Sequence, residues 1–432
     1  MSRRRAAAST MWLWAGAAVA CGGCAQIIGA DWSSYTQGEG TGGTAGAGGS
    51  IPTDGTGGDG GAGGAHDGGA GSGGTAGAGG GDRCTPGGSE CVGQTCVDGI
   101  CSGECGPDDV RCSENRPQHC DERGTWDGAD LCPLAAPVCS RGTCMIPPSC
   151  VGLPETCGPA SNESCCATLT VPGGSFNRSN DRTYPATISE FRLDRFEVTV
   201  GRFRRFVEAY PGSKPAARAG AHPRLVGSGW DPSWDINLPA DAAALKDNVN
   251  CNSSYPTWMD QAGGQERLPM NCLNWYLAFA FCAWDGGRLP TEAEWNYAAA
   301  GGDEQRLYPW STSDTDEVID GSYAVYACTG DGSDEQHCSF MDILRSGSRS
   351  PKGDGKWGHA DLSGSVWEWA LDRHADYNGR CIDCANITSR TARVVRGGGW
   401  GTEAEYLRSS LRDNATPLSA TDGRGVRCAR TP

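Results

Sequence analysis

The chain has 432 residues, with 66 Gly, 24 Cys and a formal net charge of −16. Such a length exceeds what one hydrophobic core organises, and so many cysteines do not suit a reducing cytosol. Several segments in an oxidising compartment are therefore expected, and the acidic balance argues against nucleic acid as a partner.

The N-terminus reads as an export signal. Arg3, Arg4 and Arg5 form a basic region, an apolar run follows from Ala6 to Ala20, and small residues lead to Ala18-Val-Ala-Cys21. A small residue before a cysteine is the pattern of a bacterial lipoprotein signal spanning 1–21, with Cys21 lipidated and the chain held at a membrane of the cell envelope. An ordinary secretory signal cut at an A-x-A-like site is the alternative. Cys24 competes as the lipidated residue, because the cysteines from Cys84 onward form an even set and processing at Cys21 strands Cys24. No later run has the apolar length that a membrane span needs.

Residues 22–81 read as a Gly-rich linker, with 23 Gly among the 44 positions from 38 to 81. Such a coil buries too little apolar area to offset its ordering entropy, so it is expected to be a flexible tether of about 35 Å root-mean-square span. Residues 82–167 hold 14 cysteines between turn residues. Cys96-Val-Asp-Gly-Ile-Cys101 is echoed by Cys139-Ser-Arg-Gly-Thr-Cys144. Apolar residues are too few for a core there, so disulfides must supply the stability. A zinc reading lacks support, with His119 the segment's one histidine and no C-x₂-C pair in it.

From residue 168 to 432 the composition becomes that of a globular domain. Phe191 to Val198 reads as a strand, after which Thr199 caps a helix burying Phe203, Phe206 and Val207 on one side. Trp275, Ala278, Phe279 and Cys282 recur at helical spacing within Asn274 to Trp284. Thr291 and Glu294 form a capping box behind Pro290, and that helix runs to about Ala300 before Gly301-Gly302.

Further landmarks are Val171-Pro-Gly-Gly-Ser175, Phe196-Glu-Val-Thr199, Arg288 to Trp295, Tyr308-Pro-Trp310, Trp357-Gly358, Asp361-Leu362, Gly364-Ser-Val-Trp-Glu-Trp369, Arg396-Gly-Gly-Gly-Trp400 and Gly425-Val-Arg427. In this order they resemble the formylglycine-generating, or sulfatase-modifying factor, family. The resemblance implies an irregular α/β (α+β) fold of the C-type-lectin-like kind over 168–432. Enzymes of that family hold Cu(I) through two cysteines after the Arg-Gly-Gly segment and oxidise a substrate cysteine with O₂. Counted from Arg396, those two positions fall on Thr402 and Leu407. A soft ion wants two thiolates, which neither residue offers, so no catalytic residue is assigned and copper is not expected. Arg408 and Arg412 beyond them are spaced as on one helix face or a hairpin rim.

The resemblance also implies a structural Ca²⁺ on the Asp361 and Glu368 carboxylates and the Gly364 and Val366 carbonyls, a hard-oxygen set. Ser365 replaces the usual Asn of that segment. The competing reading is that Glu368 pairs with an arginine such as Arg396. Cys381-Ile-Asp-Cys384 is the domain's one C-x₂-C, read here as a structural disulfide because no helix start lies beside it to activate a thiol. The six histidines, His66, His119, His222, His337, His359 and His374, show no metal-ligand spacing. Related iron-dependent sulfoxide synthases add a histidine-bearing helical domain, whereas the N-terminal half here reads as a tether and a disulfide module. The leading expectation is therefore a surface-anchored binding or scaffold protein with a peptide or glycan ligand. The alternative is an oxidoreductase of the formylglycine-generating type acting on protein cysteine.

Overall fold

The computed structural model describes residues 95–97, 100–106, 109–113, 116–130, 132, 136, 138–140, 142–251, 254–333, 337–388 and 392–431. The signal with Cys21 and Cys24, the Gly-rich linker, Cys84, Cys91 and His66 lie outside them.

The cysteine-rich segment is a run of small antiparallel hairpins. Thr95–Val97 pairs with Ile100–Ser102, and Val138–Ser140 with Thr143–Met145. The two similar sequence stretches thus make the same hairpin, with Cys96 opposite Cys101 and Cys139 opposite Cys144. The second is not closed by its own two cysteines, since Cys144 bonds to Cys132. Cys105–Cys120, Cys150–Cys166 and Cys157–Cys165 add further staples. The last two lie against the globular part, where Cys157 and Cys165 pack with Phe196 and Ala360.

Among the described residues the globular part mixes three small sheets with four α-helices. Strands β1 (Thr168–Val171), β2 (Gly174–Asn177), β3 (Pro185–Ile188) and β4 (Phe191–Asp194) come first, followed by helices α1 (Val200–Glu208), α2 (Ala242–Val249), α3 (Trp275–Trp284) and α4 (Glu292–Ala299). Strands β5 (Trp367–Arg373), β6 (Cys381–Ile382), β7 (Arg393–Arg396), β8 (Asp413–Ala415), β9 (Arg424–Gly425) and β10 (Ala429–Arg430) complete it. The sheets run β1-β4-β10, β2-β3-β6 and β8-β7-β5-β9, and the β3–β6 and β5–β9 pairs are parallel. This is the α/β mixture expected, with long irregular connections between short elements.

Local chemistry explains the helix ends. The Thr199 side chain accepts from the Arg202 amide, Asn274 accepts from Leu277, and Thr291 with Glu294 makes the reciprocal capping box. After Ala300 the chain turns left-handed at Gly301, with φ of 65°. Helix α3 differs from expectation in one respect. Leu277, Ala280 and Phe281 are as fully buried as Trp275, Ala278, Phe279 and Cys282, so it is enclosed nearly all round instead of showing one inward face. Cys282 bonds to Cys428 beside β10, closing a loop of 146 residues around this helix.

Buried ion pairs join the layers. Arg202 of α1, fully buried, reaches Asp194 at 2.8 Å and Asp285 at 2.7 Å, and Arg430 of β10 also reaches Asp285 at 2.8 Å. The Ser149 amide donates to Asp285 at 2.9 Å, so the end of the cysteine-rich segment is tied into the same network. No helix among the described residues is long and apolar enough to cross a membrane.

Candidate functional site

Strand β7 delivers Arg396 into the turn Gly397-Gly398, where φ is 96° and 74°. The Gly397 carbonyl accepts from Gly364 at 2.8 Å, and the Trp400 amide donates to Ser365 at 2.7 Å. The 361–366 and 396–402 loops are therefore laced together. A Cβ at Gly398 would sit 2.6 Å from Leu407 Cδ1 and 3.2 Å from Thr402 Oγ1. Leu407 and Thr402, the two positions counted from Arg396, thus both lie beside Gly398. Neither side chain is free there. The Thr402 hydroxyl accepts from the Gly399 amide and donates to the Gly399 carbonyl, both at 2.9 Å. Leu407 is fully buried with Tyr308 and Ala324. One is a turn staple and the other a core residue.

Arg408 and Arg412 do not share a face. Residues 404–407 form a 3-10 turn that ends at extended Arg408, whose 3.9 Å contact with Glu317 is exposed. Arg412 turns inward to the buried Glu292, through its Nε and, at 2.8 Å, its Nη2. Chain reversal after Leu407, invisible in a four-residue spacing, separates them.

A second cluster lies beneath the 361–368 loop. Asp361 is buried with φ of 52° and accepts from the Gly347 amide. Gly364, with φ of 85°, lies against the Val325 backbone, where a Cβ would meet the Val325 carbonyl oxygen. Ser365 is also left-handed, with φ of 60°, a region that Asn adopts more readily than Ser. Glu368 accepts from Arg427 Nε at 2.8 and 2.9 Å and from Trp295 Nε1 at 2.7 Å. Its arginine is Arg427, while Arg396 pairs with Glu292 at 2.9 Å. The partner is set by β5 running parallel to β9, which brings Arg427 beside Glu368.

The sequence reading missed Glu197. It is fully buried, accepts from the Val366 amide at 3.1 Å and from Ser365 Oγ at 3.0 Å, and faces Asp361 and Glu368. The landmark Phe196-Glu-Val-Thr199 contains it, and a carboxylate between two buried apolar residues is the signal that could have exposed it. Burial and then the charges of Asp361 and Glu368 push the Glu197 carboxyl well above the usual range. Burial likewise raises Asp361 to about 6, and raises Glu368 against the pull of Arg427. Three carboxylates thus face one fully buried guanidinium, an excess of negative charge that a proton or a cation must offset. Among the described residues no three His, Cys, Asp or Glu side chains converge closely enough to hold a metal by themselves. The Gly364 and Val366 carbonyls of the same loop would have to complete any oxygen site. Both Glu368 oxygens already accept two hydrogen bonds, as does Glu197 Oε2 from Ser346 and Ser365, whereas Asp361 and Glu197 Oε1 retain acceptor capacity.

Among the described residues no histidine joins a group that could hold a metal ion. His359 is fully buried and held to about 3 by burial and the Arg427 charge, and His222 contacts Glu294 at 3.4 Å beside Arg288.

A protein-family comparison matches the sulfatase-modifying factor enzyme 1-like domain over residues 154–432, well over half of the chain. The chain belongs to this family. The match opens within the expected cysteine-rich segment, at the disulfides that pack on the globular part. The formylglycine-generating enzyme of Streptomyces coelicolor is 29% identical over 304 residues, covering 63% of this chain and 92% of that protein. The inactive Cα-formylglycine-generating enzyme 2 of Bos taurus is 28% identical, covering 60% and 87%. Hercynine oxygenase of Mycolicibacterium smegmatis is 26% identical, covering 61% and 60%. Among solved structures, PvdO from Pseudomonas aeruginosa superposes with a TM-score of 0.42 at 22% identity, over 61% of this chain and 94% of that one.

Proposed function

We propose that this sulfatase-modifying factor domain is a binding or scaffold head and not a formylglycine-generating oxidase. The observation that carries this reading is the placement of Thr402 and Leu407. They meet at the point where the family's copper cysteines are implied, and they bring a turn hydroxyl and a buried isobutyl group. Cu(I) is held by soft donors, and neither group is one. The test is to load the full chain with Cu(I), supply O₂ and a cysteine peptide of the sulfatase type, and look for the aldehyde by mass. Absence of conversion agrees with a binding head, and repeated turnover establishes the oxidoreductase reading instead.

The head is presented from a membrane of the bacterial envelope through a lipid on Cys21, or on Cys24, with the Gly-rich linker as tether. The Ala18-Val-Ala-Cys21 pattern supports the anchor. The ligand class is a peptide or a glycan, and nucleic acid is disfavoured by the net charge of −16.

Calcium stabilises this head through Asp361 and the Gly364 and Val366 carbonyls. Glu197 is the carboxylate with spare acceptor capacity, and Glu368 contributes if it loosens its hold on Arg427. The support is the excess of buried negative charge in that loop. Its chemistry there is structural: a hard divalent ion replaces the protons that Asp361 and Glu197 would otherwise carry.

A further inference from the structure

We propose that the Cys381–Cys384 disulfide is an exchangeable dithiol–disulfide centre, with Cys384 the attacking sulfur, Cys381 the resolving sulfur and Arg178 the residue that positions charge on Cys384.

The two cysteines differ in access. Cys381 is 1% exposed, on β6 beside β3 in a core cluster, whereas Cys384 is half-buried. Ile382 between them is 63% exposed, so the loop presents an apolar tip to any approaching chain. The sequence gives no helix start to activate a thiol here, but the fold supplies a cation from 206 residues away. Arg178 Nη1 lies 3.8 Å from Cys384 Sγ. Its guanidinium also donates to the Gly379 carbonyl and sits 4.4 Å from the Tyr377 ring centroid. Its Nε is buried and has no hydrogen-bond partner among the described residues. The guanidinium is thus fixed against the sulfur and retains a donor.

The surroundings favour a negative charge on that sulfur. Arg412 also stacks on the Tyr377 ring at 3.9 Å, and Arg396 reaches the Tyr377 hydroxyl at 2.9 Å. Against these three guanidiniums stand Glu292, which Arg396 and Arg412 claim, and Asp372, which burial and Glu292 hold up to about 7. Asp383, next to Cys384, is turned toward the Ser189 amide and hydroxyl at 2.7 Å and toward Arg224. A cation beside a C-x₂-C cysteine favours its thiolate and raises its reactivity.

In the reduced state the Cys384 thiolate attacks one sulfur of a substrate disulfide. That S–S bond breaks, and the other substrate sulfur leaves and takes a proton from water. Cys381 then loses its proton and attacks Cys384 Sγ, which breaks the mixed disulfide and releases the second substrate thiol. Two electrons pass from the protein to the substrate, and two molecules of a small thiol return them by the reverse steps.

The experiment equilibrates the full chain with graded mixtures of reduced and oxidised glutathione, alkylates it, and maps the labelled cysteines by mass. The Cys381–Cys384 bond should open in mixtures that leave Cys282–Cys428 closed. Once open, Cys384 should alkylate at pH 7 about tenfold faster than an ordinary thiol, since each unit of pKa changes the thiolate fraction about tenfold. Arg178→Gln should remove that advantage and move the alkylation midpoint to higher pH, and Arg178→Lys should retain most of it. If Arg178→Gln does not fold, the wild-type pH profile and the Lys variant decide. In a Cys381→Ser variant, trapping of glutathione or of an insulin chain on Cys384 tells whether the substrate is a small disulfide or a polypeptide. The proposal is overturned if the pair opens only together with Cys282–Cys428. An ordinary Cys384 midpoint that Arg178→Gln leaves unchanged overturns it equally.

Discussion

Replacing Asp361 by Asn removes one buried negative charge while leaving the backbone comfortable, because Asn tolerates the left-handed φ of 52° found there. Burial raises the Asp361 carboxyl from 3.8 to about 6. A rise of roughly two units makes the ionised form about 3 kcal/mol less favourable in the cation-free fold than in the unfolded chain. Since the folded value lies above the unfolded one, this group's contribution is full below pH 3.8 and is lost as pH rises through about 6. At pH 7 in chelator the wild type therefore carries a strained charge that Asp361→Asn lacks. Calcium at a hundred times its dissociation constant adds about 2.7 kcal/mol, a shift of roughly 5–10 °C for a domain of this size. Melting curves read from tryptophan fluorescence, with calcium and with chelator at pH 5 and pH 7, give the comparison. The wild type should lose several degrees in chelator at pH 7 and much less at pH 5. Asp361→Asn should melt above the wild type in chelator and ignore calcium. A wild-type curve that chelator leaves unmoved at pH 7 refutes the reasoning.

Other perturbations probe the frame around this site. Burial alone would raise the Glu292 carboxyl, but Arg396 and Arg412 outweigh it and hold the group below the usual range. Its stabilisation is therefore present above the unfolded value and fades as pH falls through the folded one. Glu292→Gln should cost about 3–5 kcal/mol at pH 7, measured by denaturant unfolding, because two guanidiniums lose their partner. Replacing Cys282 and Cys428 together by Ala opens a loop of 146 residues and should cost about 5 kcal/mol by the chain-entropy relation, read as a lower denaturant midpoint. Replacing Cys21 and Cys24 together by Ser should move the protein from the membrane fraction to the soluble one, and retention of the variant on the membrane contradicts the anchor.

Two helix starts were legible in the sequence because their determinants are local: Thr199 and Thr291 each bond an amide three residues on, whereas α2, capped by Asp241, was not read. The turn after β7 was legible in Arg396-Gly-Gly398, whose two glycines take the positive φ of 96° and 74° that it demands. Contacts made across the chain were not legible. Glu368 takes Arg427, 59 residues away, through a parallel strand pair that no spacing announces. Glu197 joins Asp361 and Glu368 only once the loop after β4 packs under the 361–368 turn. Arg178 reaches Cys384 because β3 aligns with β6, so the reading of that C-x₂-C pair changed with its surroundings and not with its motif.

The central claim concerns copper chemistry at Thr402 and Leu407, and the most direct measurement compares two forms of the full chain. Wild type and a Thr402→Cys, Leu407→Cys variant are titrated with Cu(I) against a chromogenic chelator, and each is then given O₂ and a sulfatase-type cysteine peptide. The account predicts that the wild type yields no aldehyde and that the double variant gains one bound copper. Repeated conversion of the peptide by the wild type, persisting after Cys381 and Cys384 are changed to Ser, would contradict it.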